Sequence, residues 1–420
     1  MCLSFQMGTN RNYRLKRYRI RHTTSKIIIC FIAVIGLYLP TSSGGNINDV
    51  IKLTYIASLC ICLGLLILLN GVVSPYSILT SLLILLSITL ATLVSSLPGF
   101  APGGLIAFIV LALLFMVNLR YLTMSRLIKA TYIGINLVNL VVGWAIVLNI
   151  EIVDQLLLSW YNDFYPMLLT NMVGWYNKPV LSFGSHSIAG LFMFLFMYLA
   201  IRSYFAYRNP MYLFLAFSYV SFLWFLQSVT SLILAVVAII YCIVALRPAS
   251  KRAVNYLFLI FPLVTLLLGV ITLLKFSEIL IALNTGFETI LGVLTSPLNG
   301  FWGRFSEDGI LKQNLAFIAN SWYRPAGLRT EDGLFFGDSG PIEYMVRGSF
   351  LMLFSIYGGL YIFLSKNLRR QHTAIFLFLL ILAAEIGFTH IKYFRLTSLL
   401  PFVVVYLNAL PQLQTPSRSI

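Results

Sequence analysis

Arg304, Arg324 and Arg329 fall in one polar stretch of an otherwise apolar chain, roughly 276–343, and Asp338 follows them within it. Guanidinium groups offer a fixed charge and paired donors to anionic oxygens. A carboxylate or an imidazole can take the proton of an attacking hydroxyl. A second polar stretch, 151–183, carries Lys178 near its end, and His186 follows it. Each of these residues also has a plainer use. The arginines suit lipid headgroups, and Asp338 stands just before Gly340 and Pro341, a pattern that fits a helix start. His186 fits the outer end of an apolar span. Arg347 lies four residues after Glu343, so a local ion pair is its expected role.

The elements that must position these residues are helices in a membrane. Of 420 residues, 59% are hydrophobic and 10% charged, with a mean hydropathy of +0.90. No aqueous core hides that much apolar surface. The spans expected from hydropathy are 27–43, 53–70, 76–96, 103–119, 130–150, 184–204, 211–227, 229–246, 255–275, 343–364, 373–390 and 394–410. With the N-terminus in the cytoplasm, twelve of the 13 acidic residues fall outside and the other, Glu385, falls within a span. The inner side receives 19 of the 29 Lys and Arg residues and no acid. That asymmetry sets the orientation, places both termini in the cytoplasm and makes 151–183 and 276–343 outer loops. It also assigns the net charge of +16 to anionic lipid rather than to nucleic acid.

Residues 1–26 read as a basic cytoplasmic tail retained ahead of the first span. Arg202 and Arg208 are assigned to an inner loop. Cys30, Cys60, Cys62 and Cys242 lie in spans, so neither a disulfide framework nor a metal site is expected. The first outer loop is rich in Trp and Tyr and is expected along the membrane surface. In the second, 306–323 has helical spacing of Leu311, Leu315, Ile318 and Trp322, with Ser306 as N-cap, and reads as an interfacial amphipathic helix. Glu385 has two open readings, protonation or pairing with Lys392. Glu331 and Asp332 are expected in solvent.

Several segments occur in a recognisable order. Lys178-Pro179-Val180-Leu181-Ser182-Phe183-Gly184-Ser185-His186-Ser187 opens a span, and Gln227-Ser228-Val229-Thr230-Ser231 opens a later one. Then come Gly303-Arg304, Arg324-Pro325-Ala326-Gly327-Leu328-Arg329, Gly337-Asp338-Ser339-Gly340-Pro341, and Ile356-Tyr357-Gly358-Gly359 within a span. Over roughly 150–365 this order resembles the O-antigen polymerase (Wzy type) and O-antigen ligase superfamily of bacterial inner-membrane glycosyltransferases. An Arg followed eleven positions later by Gly occurs at Arg329–Gly340 and Arg347–Gly358; Lys178 and Leu232 stand where the family often has Arg.

The resemblance implies an all-α polytopic membrane protein, a GT-C-like bundle of about 12 transmembrane helices with two long periplasmic loops. It implies transfer of a growing glycan from undecaprenyl diphosphate to a new lipid-linked repeat unit. Arg304, Arg324 and Arg329, assisted by Lys178, would bind the leaving diphosphate, and Asp338 or His186 would be the base. No cofactor is implied. The partners would be the undecaprenyl-diphosphate-linked oligosaccharide and membrane lipids, with a chain-length regulator and a flippase as further candidates. Ligation to a lipid A core is the alternative enzymatic reading, and a transporter of lipid-linked sugar the alternative of another class.

Overall fold

The computed structural model describes residues 3–39, 49–101, 103–161, 169–175, 177–226, 229–246, 310–331, 339–387 and 390–410. The expected span 255–275, Arg304, the Ser306 cap and Asp338 lie outside them. The described chain is almost wholly helical, with one two-stranded sheet. Among the described residues, five helices are long and apolar enough to cross a bilayer: Ile20–Tyr38, Pro75–Val94, Arg126–Val147, His186–Tyr207 and Gly340–Asn367. Five shorter apolar helices accompany them: Thr54–Asn70, Gly103–Met116, Pro210–Leu226, Gln371–Ile386 and Phe394–Ala409. At 1.5 Å per residue Gly103–Met116, Pro210–Leu226, Gln371–Ile386 and Phe394–Ala409 fall below the ~30 Å hydrocarbon thickness, which is where the structure departs from a uniform set of twelve long spans. The first helix, α1, runs Leu3–Tyr38, so the basic tail continues into the first span without a break.

The chain forms two compact units. The first contains α1, α2 (Asp49–Asn70), α3 (Pro75–Val94), α4 (Gly103–Met116) and the start of α5 (Arg126–Val147). It also contains three later helices, α11 (Gly340–Asn367), α12 (Gln371–Gly387) and α13 (Phe394–Ala409). Ser74 caps α3, accepting from the Tyr76 N–H at 3.3 Å, with Pro75 in the first turn. α11 packs along α3 and α12, and α1 along α2 and α13. A ring contact closes the bundle: Tyr132 stacks on Tyr406 at 4.3 Å. Gly359, one of the two adjacent glycines in α11, lets the Phe115 ring of α4 lie against the helix where a side chain would collide.

Polar side chains inside this unit are used to finish backbone ends. Asn367 accepts from the Leu119 N–H at 2.6 Å and donates to the Val117 carbonyl at 3.0 Å. Asn408 in turn donates to the Asn367 carbonyl at 2.7 Å and accepts from the Arg369 N–H at 2.9 Å. The buried Arg395 donates to the Leu37 and Leu39 carbonyls at the end of α1, where a cation complements the helix C-terminus.

The second unit contains the end of α5, then α6 (Glu151–Tyr161), a π-helical turn Thr170–Trp175, α7 (His186–Tyr207), α8 (Pro210–Leu226) and α9 (Val229–Leu246). α7 is enclosed along its whole length and is the core of this unit. Arg202 lies within α7 and is buried, so it does not belong to an inner loop. Arg208, in the left-handed conformation at φ 56°, ends the helix there. α6 has two opposed faces. Asp154, Leu157 and Tyr161 are buried, while Ile152, Leu156 and Trp160 form an exposed apolar stripe at four-residue intervals. A stripe ending in Trp on a short helix suits the headgroup boundary. A further helix, α10 (Ile310–Ser321), buries Leu311 and Asn314 and exposes Leu315, so its inward face is rotated from the one its apolar spacing suggested.

Burial raises the Asp154 carboxyl to about 6. Between about pH 4, the ordinary carboxylate value, and pH 6 the folded protein therefore keeps a proton that the unfolded chain has released. Stability falls as pH rises through that window and stays lowered above it. Asp154→Asn is expected to raise the detergent melting temperature at neutral pH and to leave it nearly unchanged near pH 4, measured by thermal unfolding at both. Equal shifts at the two values would remove the carboxylate from the account.

Candidate functional site

α11 is broken near its start. Gly348 (φ −150°, ψ 20°) and Ser349 (φ 59°, ψ −163°) leave helical geometry, separating a two-turn segment from the longer helix that follows. In an unbroken helix the carbonyls of Val346 and Arg347 would be taken by N–H groups four residues on. The break releases them, and a loop from the 276–343 stretch takes them instead. Ala326 N–H donates to the Val346 carbonyl at 2.7 Å and Gly327 N–H to the Arg347 carbonyl at 2.9 Å. The Ser87 hydroxyl of α3 donates to the Gly348 carbonyl at 2.9 Å.

That loop, Arg324-Pro325-Ala326-Gly327-Leu328-Arg329, is bound on its other side too. Leu328 N–H donates to Thr92 Oγ1 at 2.9 Å, and the Leu328 carbonyl accepts from Ala101 N–H at 2.8 Å. Gly327 has φ +61° and presses on the Thr92 backbone, so no other residue fits. The loop then becomes strand β2 (Arg329–Thr330), antiparallel to β1 (Gly99–Phe100), with Phe100 opposite Arg329. The Arg329 guanidinium lies over the Phe100 ring, 5.8 Å from its centroid. Its Nε is buried with no acceptor. Arg324 is exposed, over the ring of its neighbour Tyr323 at 5.9 Å. One arginine is thus held in a strand pair with its guanidinium half-buried, and the other is exposed.

Beneath the loop is a buried charge cluster. Arg347 Nε donates to Glu343 Oε1 at 2.8 Å, and Arg347 NH1 donates to the Gly327 carbonyl at 3.0 Å. Lys392, in the connection between α12 and α13, also donates to Glu343 Oε1. The local Glu343–Arg347 pair expected from spacing is present; the partner of Lys392 is Glu343, not Glu385. Glu385 sits in the last turn of α12 rather than in mid-span. Its Oε1 accepts the backbone N–H groups of His390 and Ile391. Its Oε2 lies so close to Gly340 that a side chain there would overlap it. Glu385 therefore closes the α12–α13 connection and faces the N-terminal turn of α11, where an anion is favoured.

Lys178 and His186 belong to the second unit. Lys178 precedes a tight turn with Leu181 at φ 53° and Gly184 at φ 63°, and burial lowers its ammonium pKa. His186 is the first residue of α7 and is partly buried. Glu331 is exposed, as expected. Among the described residues no cluster of His, Cys, Asp or Glu has a metal-binding arrangement. The structure thus brings Arg324 and Arg329 onto one segment and adds Glu343, Arg347 and Lys392 beneath it. Lys392 was missed as a partner of Glu343 because the contact joins residues 49 positions apart, which no local spacing encodes.

Removing the shared carboxylate leaves two buried cations without an acid, a change that costs about 3–5 kcal/mol for a broken buried pair. Glu343→Gln is expected to lower the melting temperature sharply, and Glu331→Gln, on an exposed residue, to leave it unchanged. Matching melts for the two variants would show that the cluster carries no stability. No protein-family model, curated protein or solved structure matches this chain.

Proposed function

We propose that this chain is a polysaccharide polymerase of the bacterial inner membrane, with about twelve spans and both termini in the cytoplasm. It would transfer a growing glycan from undecaprenyl diphosphate to the sugar of a new lipid-linked repeat unit, outside the membrane. The observation that carries this reading is Arg329. Strand pairing and the Phe100 ring hold it in place, and its buried Nε has no acceptor. A diphosphate leaving group needs its developing charge met by donors already in position, and guanidinium is suited to that task. Arg324, exposed beside it, fits capture of the same anion, and Arg304 would complete the set. Lys178 would assist, and Asp338 or His186 would serve as the base toward the acceptor hydroxyl. Ligation of the glycan to a lipid A core uses the same groups and differs in the acceptor.

A second reading is favoured by a different observation. A broken helix with Glu343, Arg347 and Lys392 buried beside it is the kind of construction found at the binding sites of transporters. On that reading the chain moves a lipid-linked sugar across the membrane.

Purified protein given defined lipid-linked repeat units separates these readings. Polymerisation predicts chain growth; transport predicts movement of intact units across a vesicle membrane with no growth. Under the polymerase reading, Arg329→Ala and Arg304→Ala abolish long chains at normal protein levels. Arg324→Ala chiefly raises KM, since an exposed arginine contributes to capture more than to a fixed transition state. Full-length chains from both Arg304→Ala and Arg329→Ala would overturn the assignment.

A further inference from the structure

Two helix ends and the start of the apolar part of α1 meet at the basic end of the first unit. Arg21 and His22 lie at the start of the apolar stretch of α1, Asn70 ends α2, and Asn118 and Tyr121 follow α4. Together they line a cavity of about 310 Å³, within the lower range of small-molecule sites. Its polar lining is rich in donors. Arg21 uses one N–H on the Leu68 carbonyl at 3.4 Å, which leaves other donors of its guanidinium fork. The Ser25 hydroxyl lies 2.9 Å from the Arg21 carbonyl and 3.0 Å from Asn70 Oδ1, and Asn70 Nδ2 is buried with no acceptor. Lys26, one turn further along α1, donates to Thr123 at 3.4 Å and adds a second cation at the rim.

Among the described residues, no acid lines the cavity. The first 150 residues contain one acidic side chain, Asp49, at the opposite end of α2 and about 30 Å from Asn70 along that helix. A fixed cation, a buried amide donor without an acceptor and a pocket without carboxylates call for an anion with several oxygens. The ends of α2 and α4, beside the start of the apolar part of α1, also put the cavity where an apolar helix meets the headgroup layer.

We propose that this cavity binds a phosphate group, and that its occupant in the membrane is the headgroup of an anionic phospholipid of the inner leaflet. The proposal does not depend on the glycosyl-transfer reading and needs only the orientation set by the basic residues. The phosphate oxygens accept from Arg21 and Asn70 Nδ2, with Lys26 beside them. A choline headgroup would bring its own cation against this lining and is disfavoured.

The test uses the full chain purified in a neutral detergent, with dioctanoyl phosphatidylglycerol, dioctanoyl phosphatidylcholine and glycerol phosphate as probes. Binding is read by native mass spectrometry. Phosphatidylglycerol is expected to bind more tightly than phosphatidylcholine. Arg21→Gln should weaken it about fivefold, the effect of one basic residue at a membrane surface. Asn70→Asp, which replaces the donor by an acid of the same shape, should weaken it further, and Arg21→Lys should keep most of it. Arg21 is exposed, so its variants leave the fold intact, and a thermal melt verifies this. Glycerol phosphate that binds as tightly as the lipid would assign the site to soluble phosphate esters; lipid binding without it assigns the site to the headgroup. Equal binding of the two lipids, or unchanged binding by Arg21→Gln and Asn70→Asp, would overturn the proposal.

Discussion

A helix that breaks inside a bundle of this kind leaves carbonyls that must be paired, because an unpaired buried carbonyl costs about as much as a lost hydrogen bond. The Gly348–Ser349 break in α11 frees such groups, and the arrangement of the first unit follows from how they are satisfied. The amides of Ala326 and Gly327 arrive in consecutive positions to meet the carbonyls of Val346 and Arg347. A segment that hydropathy alone would leave in an outer loop is therefore drawn against α3, α4 and α11. Once it is there, Gly327 has to be glycine, Thr92 has to supply an acceptor, and β1 has to offer an edge to β2. The non-glycine Ser349 at φ 59° carries strain of order 1–3 kcal/mol, and the loop's hydrogen bonds offset it.

The charges fit the same constraint. Arg347 joins the two sides of the break, reaching Glu343 on its own short segment and the Gly327 carbonyl in the loop. Lys392 then ties that segment to the α12–α13 connection through Glu343. Glu385 uses one oxygen on two backbone amides of that connection. These are costly groups to bury. Their partners are largely backbone atoms that helix ends and breaks leave exposed, which explains why the cluster is found beside the break and not elsewhere along α11.

What the sequence made legible follows from the range of each interaction. Apolar runs place helices at all the expected spans that the described residues cover, because burial in a helix is encoded locally. The Glu343–Arg347 pair was legible for the same reason, being one turn apart. The length of individual helices was less so: α4 ends at Met116, short of the expected 119, and α7 runs on to Tyr207, past the expected 204. The break in α11 was not legible. Gly348-Ser349 lies in an apolar run with no proline, and the helix yields there only because Ser87 and the loop 326–328 take the carbonyls. Of the two readings open for Glu385, pairing with Lys392 was suggested by chain proximity, seven residues, whereas the acid that Lys392 meets, Glu343, is 49 residues away.

The contrast between the two loop arginines bears on how such a site would work. Arg324 and Arg329 are five residues apart and chemically identical, yet the fold treats them differently. Arg329 is held by a strand register, an aromatic ring and a loop bound at four backbone positions, so little of its freedom is left to lose when an anion arrives. Arg324 follows a helix end and leans on an exposed tyrosine, so it reaches further and holds less firmly. An anion that must be collected from the membrane surface and then stabilised as charge develops on it needs both properties. A loop anchored at one arginine and exposed at the other supplies them from six consecutive residues, and the broken helix is what makes that anchoring available.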